Sequence, residues 1–150
     1  LVAGVIAAYI YLWRRALPPL PISAALAGGA IAAAALVAAG TFLTGSVIGL
    51  PSTLPWALPY YGVLRHPVAL YYAAGFALLV CAGWWLINRF SVPRLLYLWL
   101  LGAGLLLLWV GAYEEGSPTL LTFRVHQGVG FIAALVACLA LARPTPHKST

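Results

Sequence analysis

The chain has 150 residues, of which 64% are hydrophobic and 7% charged, with a mean hydropathy of +1.01, a balance that excludes a soluble globular domain and identifies an integral membrane protein. The net charge of +6 comes from basic residues scattered singly at the ends of apolar segments, which argues against nucleic acid as a partner. At about 20 residues per span, the expected fold is an all-α bundle of about five transmembrane helices, forming one transmembrane domain over 1–150 without a separate soluble part.

Leu1 to Trp13 is apolar but reaches only about 20 Å at the ~1.5 Å rise of a helix, short of the ~30 Å hydrocarbon core. It reads as a span truncated or begun elsewhere. The chain opens on Leu1, and Arg14-Arg15 follow the first apolar run, the reverse of a signal peptide's charge order, so further sequence is expected upstream. Pro18, Pro19 and Pro21 predict a turn. The second span, 22–43, is alanine-rich and carries Gly28, Gly29 and Gly40; small residues let helices approach closely, so it is expected to be the central, buried one.

The stretch 44–67 breaks the pattern. Pro51, Pro55 and Pro59 recur every four residues, each removing a backbone donor and fixing φ, so no helix can cross it and irregular structure is expected. Trp56, Tyr60, Tyr61 and Tyr71 are the amphipathic rings found at headgroup level. A third span, 68–87, follows Pro67, where a first helical turn tolerates proline. Asn88 to Arg94 is a polar turn, 95–113 a leucine-rich fourth span, and Glu114 to Thr119 a second turn with Gly116 and Pro118. The fifth span, 121–142, has Arg124, His126 and Gln127 in its first turns and a basic tail after it.

Cytoplasmic loops are enriched in Lys and Arg. Arg14, Arg15, Arg89, Arg94, Arg143 and Lys148 fall on one side of this topology, and only Arg65 and Arg124, with both acids Glu114 and Glu115, on the other. The C-terminus is therefore expected in the cytoplasm and 44–67 on the outer side.

Cys81 and Cys138 lie in apolar segments, where a thiol behaves as a small hydrophobe, so neither a disulfide nor a metal site is expected. His66 and His126 invite a haem or pigment reading, but both sit near the interface with no sign that they face each other, and no cofactor is expected. The adjacent Glu114 and Glu115 offer no carboxylate pair or His-carboxylate couple at a spacing suited to acid and base work, and Ser46, Ser52 and Thr53 have no base beside them in sequence. Arg65-His66-Pro67 stands before the third helix, where free N–H groups and the helix dipole favour an anion such as a phospholipid phosphate. The alternative is an arginine snorkelling at the interface with a histidine capping the turn. Arg65, His66, Tyr71, Trp56 and Arg124 together form the expected lipid-binding or docking surface, with anionic phospholipid and other transmembrane subunits as partners.

Gly40, Phe42, Gly45, Gly49, Pro51, Leu54, Pro55 and Trp56, followed by Arg65-His66-Pro67 and Leu70-Tyr71, resemble the prolipoprotein diacylglyceryl transferases. That family carries GRxGNFxNGExxGxPTxLPW and then RHPxQLYE, and the likeness extends over nearly the whole chain as the C-terminal part of such an enzyme. The resemblance implies transfer of diacylglyceryl from phosphatidylglycerol to the cysteine of a lipoprotein precursor, at the outer side of the bacterial inner membrane. Aligned on Gly40 and Phe42, the signature's arginine falls at Ala38, its asparagines at Thr41 and Thr44 and its acid at Ser46. The glutamine and glutamate of the second motif fall at Ala69 and Tyr72, and a later RFxxEFxR pattern falls near Leu105, Trp109 and Ala112. The family's HGG histidine belongs upstream of Leu1. The function expected from these losses is a catalytically inactive, transferase-like structural or accessory subunit of a larger membrane complex, with respiratory and photosynthetic complexes as candidate hosts; the alternative is a divergent diacylglyceryl transferase.

Overall fold

Pro18 and Pro19 open helix α1, Pro19–Thr44, the first whose bounds fall within the described residues. The expected proline turn is instead the helix's first turn, where N–H groups lack intrahelical partners and a missing donor is harmless. The computed structural model describes residues 11, 14–15, 18–116, 119–120 and 123–142. Apart from Tyr11, the predicted span 1–13 lies outside the described residues, as does the basic tail. At its far end α1 stops on Gly45 (φ 63°), with Gly45 N–H donating to Phe42 O and Ser46 N–H to Thr41 O. Both bonds take up carbonyls that the last turn leaves free.

Three further helices follow: α2, Val68–Leu86; α3, Val92–Gly111, entered through Ser91 with a proline in its first turn; and α4, Val125–Leu141. The protein is thus an all-α membrane protein in its spans, with α1, α2 and α3 long and apolar enough to cross a bilayer and α4 shorter at 17 residues. The predicted fifth span starts four residues late because Phe123–Arg124 is extended, pairing as β4 with Thr119–Leu120, β3.

The central helix is α3, not α1, since only α3 packs against all three others. On α1 only Ala24, Ile31 and Ala38 are buried, and Gly29 and Gly40 face open space. Small residues permit close approach but do not compel it. Gly28 is used: the ring of Trp99 from α3 lies against it and against Gly83 of α2, and the indole N–H donates to Leu79 O at 3.3 Å. Where α3 crosses α4, a Cβ on Gly104 would lie 2.7 Å from Gly130 O and one on Gly130 2.6 Å from Gly104 O. Only paired glycines allow that crossing.

The stretch expected to be irregular holds a β-hairpin, β1 Leu58–Tyr60 with β2 Val63–Arg65. Tyr61 (φ 52°) and Gly62 (φ 78°) make its two-residue turn, whose positive φ angles match the twist of the flanking strands. Pro59 faces Leu64, between the two hydrogen-bonding positions, so its missing N–H lies on the edge away from β2. Residues 48–52 run along the other side of β2, with Ser52 N–H donating to Leu64 O and His66 N–H to Leu50 O. They also meet the end of α3, through Leu50 N–H to Tyr113 O and Glu115 N–H to Ile48 O. The C-termini of α1 and α3 and the N-termini of α2 and α4 are therefore joined at one hairpin end.

Candidate functional site

The two motif-bearing segments dovetail at this end. A Cβ on Gly49 would lie 2.1 Å from His66 O, so glycine is what lets the first segment lie on the second. Arg65, last residue of β2, donates from Nη1 to Gly49 O at 3.1 Å and forms an ion pair with Glu115. Its side chain is only 16% exposed, against 45% for Glu115. Arg65, expected to meet an anion before the helix, is thus paired with one of the protein's own carboxylates.

His66 and Tyr71 belong to an aromatic cluster built from four segments. Trp56 Nε1 donates to Tyr71 Oη at 2.8 Å, and Tyr71 Oη lies 3.3 Å from His66 Nδ1. An indole N–H can only donate, so Tyr71 accepts from it and keeps its own proton free for the imidazole. The His66 ring also lies 4.7 Å from that of Tyr113, Trp109 meets Tyr113 edge-on at 6.3 Å, and Tyr71 stacks with Trp109 at 6.5 Å. Trp56, expected as a ring at headgroup level, has this intramolecular partner as well; it stays 56% exposed and forms the rim.

Arg124 is also occupied. As the residue before α4, it donates from Nη1 to Gly111 O at 2.9 Å and Ala112 O at 3.0 Å, capping α3 where the helix dipole favours a cation. These bonds tie the start of α4 to the end of α3 and make Arg124 a structural clasp.

Beside Arg124 stands a pair that the sequence reading missed. His126 Nδ1 lies 2.9 Å from Glu114 Oε2, a His-carboxylate couple of the kind held to be absent. Glu114 is nearly buried, at 12% side-chain exposure, whereas His126 is 44% exposed. The Tyr72 hydroxyl is buried facing the Glu114 carboxylate, just outside strict hydrogen-bond geometry with any described residue. Gly111 lies at the centre of this grouping: Tyr72 Oη, His126 Cβ and Gln127 Cγ are each 3.5 Å from where its Cβ would stand. The couple spans twelve positions across the β3–β4 fold-back, and recognising that fold-back was the signal that could have found it. Among the described residues, no three of His, Cys, Asp and Glu gather as metal ligands would.

The sequence model of the family described as prolipoprotein diacylglyceryl transferase matches residues 1–143. The phosphatidylglycerol–prolipoprotein diacylglyceryl transferase of Chlamydia muridarum is 33% identical over 64 residues, covering 40% of this chain and 23% of that protein. The protein of the same name from Methylococcus capsulatus is 44% identical over 72 residues, covering 43% of this chain and 27% of its own length. The match therefore spans about a quarter of each relative. No solved structure matches the chain.

Proposed function

The chain belongs to the prolipoprotein diacylglyceryl transferase family, and from that premise we propose that it is a divergent diacylglyceryl transferase working on phosphatidylglycerol at the hairpin end of its bundle. The observation that carries this reading is the dovetail: Gly49 against His66, Arg65 on Gly49 O and Trp56 on Tyr71 join the residues of both family-like motifs into one surface. A framework kept only to shape helices would not need the indole, phenol and imidazole of distant segments in one chain of hydrogen bonds.

In the proposed reaction the sulfur of a precursor cysteine attacks the glyceryl carbon of the lipid. The carbon–oxygen bond to phosphate breaks, its electron pair stays on the phosphate oxygen, and glycerol phosphate leaves. Arg65 suits the phosphate, because its guanidinium can exchange the half-exposed Glu115 for another anion and bind it with two parallel hydrogen bonds. The aromatic rim from Trp56 to Trp109 suits the glyceryl and acyl parts at headgroup level.

The second reading, an inactive accessory subunit, is supported by a different observation: apolar or neutral Ala38, Ser46, Ala69 and Leu105 stand where the family patterns carry charge or amide groups, and Arg65 and Arg124 are both engaged within the fold. Expression in a strain depleted of its own transferase separates the two. Growth and thioether-linked lipoprotein are expected from a transferase; normal membrane insertion with neither product, and with another membrane subunit retained in mild detergent, is expected from an accessory subunit.

A further inference from the structure

A second chemistry-bearing cluster occupies the same end as the motif dovetail. We propose that His126 accepts the proton of the incoming thiol and that Glu114 is the positioning residue that holds it ready; the proposal rests on the transferase reading above.

The carboxylate of Glu114 can only accept when ionised, so the 2.9 Å contact is Nδ1–H donating to Oε2. That bond fixes the tautomer and leaves Nε2 with its lone pair. Glu114 is held from its backbone, paired with Gly49 through a β-bridge, and is nearly buried, while the imidazole on the first turn of α4 stays 44% exposed. A buried anchor and an accessible ring edge are what a thiol-directed base requires, whereas a clamp between two segments would gain nothing from exposure. The groups facing the couple are the Tyr72 hydroxyl, buried beside Glu114, and the Arg124 guanidinium, directed to the α3 carbonyls. In the step, the thiol proton passes to Nε2 as sulfur attacks the glyceryl carbon. The resulting imidazolium, steadied by Glu114, returns the proton to the departing phosphate or to water.

The test uses the purified protein in phosphatidylglycerol vesicles, with a peptide carrying a lipoprotein-type cysteine and mass detection of the thioether product. His126→Ala is expected to slow transfer by roughly 100-fold or more, the usual contribution of a positioned base, and added imidazole is expected to restore part of the rate. Glu114→Gln is expected to lower kcat by about tenfold with KM unchanged and to move the pH profile. His126→Gln provides the same test if the alanine variant unfolds. If His126→Ala and His126→Gln melt and transfer like the wild type, or if imidazole restores nothing to a folded, inactive His126→Ala, the base assignment is overturned while the transferase reading stands. A wild type that forms no thioether in these vesicles overturns both.

Discussion

Gly49→Ala tests whether the two motif segments are joined as described. The added Cβ would stand 2.1 Å from His66 O and 2.9 Å from both His66 Cβ and Val68 Cγ2, and an ordinary carbon–oxygen contact is about 3.3 Å. The segments must therefore part by roughly 1 Å. Two hydrogen bonds of 3.1 Å cross that seam, Arg65 to Gly49 O and His66 N–H to Leu50 O, and both would stretch beyond bonding. Each contributes about 1 kcal/mol net, and the overpacking adds about 1–3 kcal/mol, so local opening becomes easier by about 3–5 kcal/mol. At about 1.4 kcal/mol per tenfold, the His66 amide should lose at least roughly 100-fold in hydrogen-exchange protection in detergent micelles. Gly29→Ala is the control: its Cβ would meet nothing within 4 Å, and in mid-helix the change should leave the site unaltered and stabilise α1 by roughly 0.5–1 kcal/mol. Wild-type protection at His66 in Gly49→Ala would refute the dovetail.

Gly104→Val drives a side chain into Gly130 O and Ala134 N, each under 3 Å from its Cβ, and should lower the thermal midpoint in detergent far more than Gly40→Ala, which faces open space. A double-mutant cycle on Arg65 and Glu115, read by chemical unfolding, should return a coupling of about 1 kcal/mol that weakens as salt is raised, the pair being partly exposed. Trp56→Phe removes the donor to Tyr71 and should cost about 0.5–1 kcal/mol, with the Tyr71 hydroxyl exchanging faster by NMR. For topology, the distribution of basic residues leads to a cysteine at Ser117 labelled by an impermeant reagent in intact cells and a tag after Thr150 that is protected; labelling of Ser117 only after lysis would reverse the orientation.

Hydropathy made the existence of α1 to α4 legible, because long apolar runs between breakers admit few other structures in a bilayer. Boundaries moved where a breaker stood in a position that tolerates it: Pro19 and Pro21 in the first turn of α1, Pro93 in that of α3. The β1–β2 hairpin was hidden because Tyr61, a residue that seldom adopts positive φ, occupies half of its turn. The centrality of α1 was misread because alanine suits a lipid-facing surface as well as a helix contact. At the site, local sequence revealed Arg65, His66, Trp56 and Tyr71 as chemically eligible but not their partners. Glu115 reaches Arg65 through tertiary pairing of 48–52 with 113–115, and Glu114 reaches His126 across the β3–β4 fold-back, and no periodicity encodes either.

The crossing of Gly104 with Gly130 acts as a gauge for the whole hairpin end. Beside the notches α3 and α4 present Leu107, Ala133 and Ala134, against which lipid tails are equally good company, so such surfaces would slide with little resistance. The two notches fit at one height only. From Gly130, His126 is one turn back along α4, and from Gly104 the end of α3 is about two turns on, so a slip of one turn, about 5.4 Å, would carry the imidazole out of reach of Glu114. Inserting or deleting a single residue between Gly104 and Gly111, or between His126 and Gly130, would therefore detune this end while leaving every charged and aromatic side chain in the sequence.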